Sequence, residues 1–130
     1  MSNLAVKYMG LDLENPFVVS SSSLTNSVEK VKKCENAGAG AVVLKSLFEE
    51  EIQASIDSMS HSTAEHTEAL DYITSIQTST GLQEYVTLIR GAKSEVSIPV
   101  IASVNAVREE WWVEHVPKLE SAGADAIELK

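Results

Sequence analysis

Hydrophobic residues along this chain form short apolar runs separated by longer amphipathic segments. The runs cover residues 17–19, 41–44, 100–104 and 124–129. Each run is too short for a helix and is bounded by turn residues, which is typical of strands buried on both faces of a parallel sheet. An alternating pattern over residues 4–13, interrupted by Met9 and Gly10, predicts a small β-hairpin before the first of them.

Segments with helical spacing connect these runs. The first is predicted to begin at Asn26, with Glu29 as its capping-box partner, and to end at Gly38. A second apolar stripe extends from residue 81 to about residue 96, and a third helix is predicted from about residue 108 to residue 122. One side of this third helix is expected to consist of Trp112, Val113, Val116 and Leu119.

The middle of the chain has a weaker pattern. Residues 47–57 favour one helix, because the acidic residues 49–51 suit a helix N-terminus. Residues 58–68 are polar and are expected to form a mobile loop. Residues 69–78 mix apolar and polar positions without a clear period, so the pattern there favours neither helix nor strand.

An internal repeat connects the helices to the strands. Residues 35–45 have the sequence Glu-Asn-Ala-Gly-Ala-Gly-Ala-Val-Val-Leu-Lys, and residues 120–130 have the sequence Glu-Ser-Ala-Gly-Ala-Asp-Ala-Ile-Glu-Leu-Lys. Each contains a helix end, a turn and a strand that ends on lysine, since glycine suits the left-handed position just past a helix. Two such junctions predict a parallel sheet with right-handed crossovers. The pattern leaves two alternatives, a small open α/β sheet or the first half of a (β/α)₈ barrel.

Composition excludes several classes of function. The chain has 130 residues, of which 44% are hydrophobic, and a formal net charge of −9, which argues against nucleic acid or a membrane surface as its partner. Cys34 is the single cysteine, so an internal disulfide is impossible, and we expect a packed or half-exposed thiol. The histidines His61, His66 and His115 are expected to be solvated. Without a signal peptide or a membrane-spanning apolar stretch, the protein is expected to be cytoplasmic.

Polar residues follow the predicted strands, at the edge where parallel sheets gather functional groups. The candidate site residues are Ser20, Ser21, Ser22, Lys45, Ser46, Ser103, Asn105 and Lys130. They suit a polar, partly anionic ligand and include no acid–base pair. Lys45 has two interpretations, a contact to a ligand or an ion pair with a nearby glutamate. Asn105 would contact a ligand or cap the following helix, and the serines would bind a cofactor or simply end the strand.

Five segments in a fixed order resemble the class 1 dihydroorotate dehydrogenase superfamily, in particular its dihydroorotate dehydrogenase-like members. The segments are 10–16, 17–22, 37–46, 99–105 and 122–129. The resemblance covers essentially the whole chain and implies one domain, 1–130, that is the N-terminal half of a (β/α)₈ barrel. It also implies FMN as cofactor, bound at the carboxyl ends of the strands, and hydride transfer between a dihydropyrimidine-type substrate and the flavin.

The resemblance assigns roles to the strand-end residues. Residues 20–22 would meet the flavin at the end of the first strand. Lys45 would lie beside flavin and substrate, with Ser46 next to it, and residues 103–105 would lie below the isoalloxazine ring. Lys130 stands where the family usually has a flavin-contacting asparagine. The family's catalytic base would follow Lys130, so we expect no catalytic residue in this chain and no dehydrogenase activity from 1–130 alone.

The chain departs from the family at the substrate loop. Orotate-using members carry Asn-x-x-Gly-Leu-Pro-Asn, whereas residues 78–82 are Thr-Ser-Thr-Gly-Leu and Gln83 follows. This difference argues against orotate and leaves another pyrimidine-like small molecule as the expected substrate. We expect a homo-oligomer that binds no metal. Two alternatives stay open: a lyase or aldolase barrel with Lys45 as Schiff-base nucleophile, or a non-enzymatic half-barrel that self-associates to cover its open edges.

Overall fold

The computed structural model of the chain describes residues 2–51, 54 and 67–130, and the side chains of all of these except 67–80. Short strands alternate with helices. The elements within these ranges are β1 (Val6–Tyr8), β2 (Leu11–Leu13), β3 (Val18–Val19), α1 (Val28–Asn36), β4 (Ala41–Val43), β5 (Leu47–Phe48), α2 (Thr67–Glu95), β6 (Val100–Asn105), α3 (Glu109–Ser121) and β7 (Ala126–Leu129).

The predicted hairpin is confirmed. Strands β1 and β2 pair antiparallel, with Tyr8 opposite Leu11. Met9 and Gly10 have φ angles of 51° and 76°, and a two-residue hairpin turn with both φ angles positive matches the right-handed twist of its strands.

The predicted parallel sheet is also confirmed. Strands β3 and β4 pair, β4 and β5 each pair with β6, and β6 pairs with β7, all in parallel. Since β7 is aligned with Ile101 and Val104, the same residues that β4 and β5 use, β7 occupies one edge of β6 and the other two share the opposite edge. Strands β4 and β5 therefore act as one strand with an interruption, and the order β3, β4/β5, β6, β7 is that of consecutive strands in a partial (β/α)₈ barrel.

A β-bulge causes the interruption. Val43 is aligned with Ile101 and Leu47 with Val104, so residues 44–46 lie opposite only two residues of β6. An extra residue of this kind changes which side chains point to each face of the sheet. Here Leu44 and Leu47 both pack against the helices, which strict alternation would forbid at positions three residues apart.

One side of the sheet packs against the helices and forms the core. Val100, Ala102 and Val104 of β6 are buried there against Ile89 of α2 and Leu119 of α3. The intervening residues of β6 point to the opposite side. We call that side the inner face and define it by Val43, Ile101, Ser103 and Glu128. In the part of the chain that the structure describes, no helix combines the length and the apolar character that a membrane span requires.

Both copies of the repeated junction have the same backbone geometry. Gly38 and Gly123 have φ angles of 97° and 108°. Past α1, the amide of Ala39 donates to the Cys34 carbonyl, and past α3, the amide of Ala124 donates to the Leu119 carbonyl. This pattern is a Schellman-type helix end, which requires a left-handed residue at the position of each glycine.

The predicted N-cap of α1 is wrong by one residue. Ser27, not Asn26, adopts the extended cap conformation, and its side chain accepts a hydrogen bond from the Lys30 amide. The reason is that two good capping residues are adjacent, and the helix starts at Val28. Glu29 pairs with Lys33 instead of closing a capping box.

The predicted buried side of α3 is partly wrong. The buried residues are Trp111, His115 and Leu119, while Val113 is 73% exposed. His115 is therefore not solvated as predicted, since its ring packs edge-on against Trp111 with a centroid distance of 4.6 Å. Positions four residues apart place all three side chains on one face towards the core.

Predictions for the middle of the chain have mixed outcomes. Residues 47–48 form β5 instead of starting a helix, because they pair with Val104 and Asn105. Residues 49–51 and 54 are helical, and the rest of the predicted helix lies outside the described residues. So does most of the predicted loop, 58–66, with His61 and His66. Residues 67–68 are helical, and the segment 69–78 belongs to α2.

Candidate functional site

Four polar side chains from four strands form a hydrogen-bonded row on the inner face. Ser21 follows β3, Ser46 lies in the bulge, Ser103 is in β6 and Glu128 is in β7. The Oγ atoms of Ser21 and Ser46 are 2.9 Å apart, those of Ser46 and Ser103 are 2.7 Å apart, and Ser103 donates to Glu128 Oε1 at 2.7 Å. We call these residues the serine–glutamate row. Three of the predicted site residues, Ser21, Ser46 and Ser103, are thus in direct contact.

The bulge is what places Ser46 in this row. Strict alternation from Val43, which faces the inner side, would turn the side chain at position 46 towards the helices. The extra residue reverses that orientation, so that Ser46 meets Ser103. The Ser46 amide also donates to Ser21 Oγ at 2.8 Å, and this bond ties the end of β3 to the bulge.

Tyr85 of α2 fills the gap that the bulge leaves in the sheet. Its hydroxyl accepts a hydrogen bond from the Ser103 amide at 3.0 Å and donates to the Ser103 carbonyl at 3.1 Å. These two backbone groups would otherwise be buried without partners, at a cost of about 1–3 kcal/mol each. Burial raises the pKa of Tyr85 to about 12, and the neutral hydroxyl can therefore both donate and accept.

The two lysines of the predicted site have different surroundings. Lys45 lies in the bulge, is exposed, and donates its backbone amide to the Thr25 carbonyl at 3.3 Å. Among the described residues it makes no ion pair, so the predicted glutamate pairing is not observed there. Lys130, in contrast, places Nζ 3.3 Å from Glu128 Oε1 and so extends the serine–glutamate row.

The other predicted site residues, Ser20, Ser22 and Asn105, are not part of the serine–glutamate row. Ser22 accepts a hydrogen bond from the Leu24 amide at 3.2 Å, so its side chain forms a turn and ends the strand. Ser20 is exposed. Asn105 does not cap α3, because Arg108 holds the N-cap position without a side-chain cap. The ligand contacts proposed for these residues stay predictions.

An open cleft of about 550 Å³ lies between the hairpin and the inner face. Its walls are mostly apolar and include Tyr8, Met9, Val18, Val43 and Ile101. Ser20 and Glu128 also line it, so the cleft is apolar over most of its surface and polar where it meets the serine–glutamate row. A flat, partly apolar ring with a polar edge fits such a surface.

Glu49 organises the loop that follows β6. It is only 6% exposed, and its carboxylate accepts from the Val107 amide at 2.8 Å, from the Arg108 amide at 3.1 Å and from the Arg108 guanidinium. Burial raises the pKa of Glu49, but these hydrogen bonds outweigh it and hold the pKa below its ordinary value of 4.5. The carboxylate also lies at the N-terminus of α3, where negative charge is favoured.

Three residues of this edge were missed in the sequence. Glu128 had a visible signal, because an acidic residue inside an otherwise apolar strand needs a partner. Tyr85 looked like one more apolar position of its helix. Glu49 was attributed to a helix N-terminus, and it does serve one, but that of α3. Among the described residues there is no cluster of three or more side chains suited to hold a metal ion.

Known proteins with similar sequences are dehydrogenase subunits. The NAD-dependent dihydropyrimidine dehydrogenase subunit PreA of Escherichia coli K12 is 30% identical over 131 residues, covering 97% of this chain and 31% of the relative. The catalytic subunit of dihydroorotate dehydrogenase B (NAD(+)) of Thermoplasma volcanium is 31% identical over 129 residues, covering 99% of this chain and 41% of the relative. The chain thus spans less than half the length of these relatives. No family model matches the chain.

A solved structure supports the fold. The IMP dehydrogenase/GMP reductase-like protein of Corynebacterium glutamicum matches with a TM-score of 0.54 and 14% identity, over 98% of this chain and 35% of that one. At this identity the likeness concerns the fold alone. Together with the hairpin and the parallel strands, it identifies the chain as part of a (β/α)₈ barrel. The chain is therefore similar in sequence to dihydropyrimidine and dihydroorotate dehydrogenase subunits and has the fold of a partial barrel.

Proposed function

We propose that this chain is the part of an FMN-dependent oxidoreductase that holds one edge of the flavin, in an enzyme that transfers hydride between a dihydropyrimidine-type substrate and the cofactor. The observation that carries the proposal is the serine–glutamate row, which lies in and just past the second halves of the strands and shares Glu128 with an apolar cleft. Functional groups of parallel α/β barrels gather at this edge. Both relatives described above are named as dehydrogenases.

The side chains at this edge fit a flavin. A flavin ring has apolar faces and an edge of carbonyl oxygens and ring nitrogens, and proteins tune it through hydrogen bonds and nearby charge. Lys45 brings an ammonium group with no ion pair among the described residues. Ser20 and Ser21 bring hydroxyls, and the cleft brings apolar surface for a ring face. When bound, FMN would supply the hydride acceptor, while these residues bind and orient it.

The substrate that the chain supports best is a dihydropyrimidine other than dihydroorotate. Residues 78–83, which stand where orotate-using family members carry their substrate loop, are part of the helix α2. In the described part of the chain, a helical segment stands at this position instead of a loop that could close over a substrate carboxylate. Of the two relatives, the one named for dihydropyrimidine therefore supports the proposal better than the one named for dihydroorotate.

Schiff-base chemistry at Lys45 receives less support. A lysine nucleophile of that kind needs a depressed pKa, which proteins produce by desolvation or by a second cationic group. Lys45 is exposed in the part of the chain that the structure describes. An exposed ammonium is better suited to bind a carbonyl or an anionic group than to attack a carbon atom.

Titration of FMN fluorescence with the protein tests the proposal. We expect saturable quenching, and we expect Lys45→Met to weaken binding by about tenfold or more, because a hydrogen bond to a charged group contributes roughly 1.5–3 kcal/mol. Lys33→Met is the matched control, since Lys33 lies on the surface of α1 in an ion pair with Glu29. Absence of saturable quenching, or equal affinities for the two variants, would contradict the proposal.

A further inference from the structure

Each serine of the serine–glutamate row has one hydroxyl proton and the Glu128 carboxylate has none, so only one assignment of donors and acceptors is possible. A serine hydroxyl can donate one hydrogen bond, and a carboxylate can only accept. Ser103 uses its single proton in the bond to Glu128 Oε1 at 2.7 Å. Ser103 is fully buried, so no bulk water can replace this acceptor.

The donors of the other two bonds follow from this one. Because Ser103 has no second proton, its 2.7 Å contact with Ser46 requires Ser46 to donate. Ser46 has then used its own proton, so the 2.9 Å contact with Ser21 requires Ser21 to donate. Every hydroxyl in the row thus donates towards Glu128.

The outer end of the row is left with an acceptor and no donor. Ser21 Oγ gives its proton to Ser46 and accepts the Ser46 amide at 2.8 Å. A hydroxyl oxygen has two lone pairs, so one remains. A ligand group that meets Ser21 must therefore bring its own N–H or O–H.

We propose that Glu128 fixes the donor direction of the serine–glutamate row and thereby makes Ser21 a selective acceptor for the N–H of a cyclic imide or amide. Glu128 is a positioning residue in this arrangement, since it acts through Ser103 and Ser46. Lys130 supports it from the other side, because an ammonium 3.3 Å from Glu128 Oε1 needs an acceptor as its partner.

The identity of the ligand group, a ring N–H, rests on the proposed function. The donor direction rests only on the hydrogen bonds within the serine–glutamate row. Flavin and pyrimidine rings both carry an N–H between two carbonyl groups. The adjacent Lys45 offers a donor of the kind those carbonyls need. Ser21, which contacts Ser46, would supply the acceptor, and Lys45, which precedes Ser46 in the chain, would supply the donor that such an edge needs.

The donor direction can be measured without any ligand. Buried serine hydroxyl protons exchange slowly enough for NMR at low temperature, and the mass of 14.1 kDa suits this method. We expect the strongest cross-relaxation of the Ser103 hydroxyl proton with the Glu128 side chain, and that of the Ser46 hydroxyl proton with the Ser103 β-protons. A Ser103 hydroxyl proton directed at Ser46 would overturn the proposal.

Variants test whether Glu128 is the cause. In Glu128→Leu the terminal acceptor is lost, so we expect the Ser103 proton to turn towards Ser46 and the row to reverse. Glu110→Leu is the control, because Glu110 is an exposed acid of α3 and should leave the row unchanged. An unreversed row in a folded Glu128→Leu would contradict the proposal. If that variant does not fold, the hydroxyl protons of the unmodified protein decide the direction.

N-methylated ligands test the selectivity. We expect 3-methyl-FMN to bind about tenfold more weakly than FMN, because methylation removes the imide proton, and we expect this ratio to approach one in Ser21→Ala. The pair uracil and 3-methyluracil distinguishes a pyrimidine edge from a flavin edge. Equal affinity within both pairs would overturn the selectivity. A protein that binds no FMN contradicts the proposed function, while the hydroxyl measurement still decides the direction.

Discussion

The two sides of strand β6 are stabilised by different interactions, although the strand has only six residues. Val100, Ala102 and Val104 point towards the helices and are fully buried among apolar side chains. Ile101 and Ser103 point to the inner face, where Ser103 is equally buried but forms directional hydrogen bonds to Ser46 and Glu128. Equal burial therefore has different consequences on the two sides.

The two sides of the strand place different requirements on neighbouring side chains. On the helix-facing side, stabilisation comes from the apolar area removed from water, which depends little on orientation. On the inner face, every donor must meet an acceptor, because an unpaired polar group is costly in a buried site. The helix-facing side should tolerate swaps of similar volume, whereas the inner face should respond to the loss of single atoms.

The largest expected loss of stability comes from a substitution in the core on the helix-facing side of the sheet. Ile89→Ala should lower the free energy of unfolding by about 2–5 kcal/mol, because it leaves a cavity at a fully buried position. Chemical denaturation measures this change. Val113→Ala is the control on the exposed side of α3, with an expected change of less than about 0.5 kcal/mol. Similar losses for both variants would mean that α2 does not form the core as described.

The second-largest expected loss of stability comes from removing the Tyr85 hydroxyl, which connects α2 to the backbone of β6. Tyr85→Phe keeps the ring but removes the hydroxyl that pairs with the Ser103 amide and carbonyl. The loss should be about 2–4 kcal/mol, since two buried backbone groups lose their partner. Tyr8→Phe in the hairpin, where the residue is 51% exposed, should be nearly neutral. A neutral Tyr85→Phe would show that the bulge does not need this hydroxyl.

A third effect is smaller and depends on pH. Glu49→Ala should cost about 1–3 kcal/mol at neutral pH, because it removes the acceptor of the Val107 and Arg108 amides. The folded-state pKa of Glu49 lies below the ordinary value of 4.5, so this contribution is present above that value and is lost as the pH falls through the folded-state pKa. Denaturation at several pH values measures it.

The control for this comparison is Glu50→Ala, because Glu50 is exposed. Its effect on stability should be less than about 0.5 kcal/mol, as for other exposed positions. The gap in stability between Glu49→Ala and the unmodified protein should narrow on acidification. A gap that stays constant down to low pH would contradict the role assigned to the carboxylate.

The smallest expected effect on stability comes from a substitution at the exposed residue Ser20. Ser20→Ala should change the free energy of unfolding by less than about 0.5 kcal/mol, because the residue is exposed. Its effect should appear only in FMN affinity, as a loss of about fivefold or more for one hydrogen bond. Unchanged affinity would remove Ser20 from the candidate site.

The sequence predicted the parts of the fold that local conformation decides. The turn at Met9 and Gly10 and the two Ala-Gly-Ala junctions depend on positive φ angles, which few residues favour. The buried strands depend on runs of apolar residues. These signals act over a few positions, and the structure confirms the turn, the junctions and the four strands. Burial on both faces is confirmed for β4 and β6 but wrong for β3 and β7, which lie at the two ends of the described strand order and are half-buried.

The parts that failed depend on choices between near-equivalent neighbours. Asn26 and Ser27 both suit an N-cap, and only the start of the helix distinguishes them. In α3, Trp111 and Trp112 both offer a large apolar ring, so the buried side was predicted one position away. Tertiary packing makes such decisions, and propensity is too weak to anticipate them.

The candidate site could be predicted only in part. The strand-end serines were named because parallel sheets gather function there, and the structure brings Ser21, Ser46 and Ser103 together. Their connection to Glu128 and Tyr85 depends on the bulge, whose register appears only when β4 and β5 are aligned with β6. Long-range alignment of this kind has no signature in the local pattern.

Chemical-shift mapping with FMN tests the central claim most directly, since it compares the two sides of the sheet in one experiment. We predict that FMN added to the ¹⁵N-labelled protein shifts the amide signals of Ser21, Lys45, Ser46 and Asn105, and leaves those of the exposed faces of α1 and α3 unchanged. Shifts confined to the helices, or no saturable shift at all, would contradict the proposal that these strand ends hold a flavin.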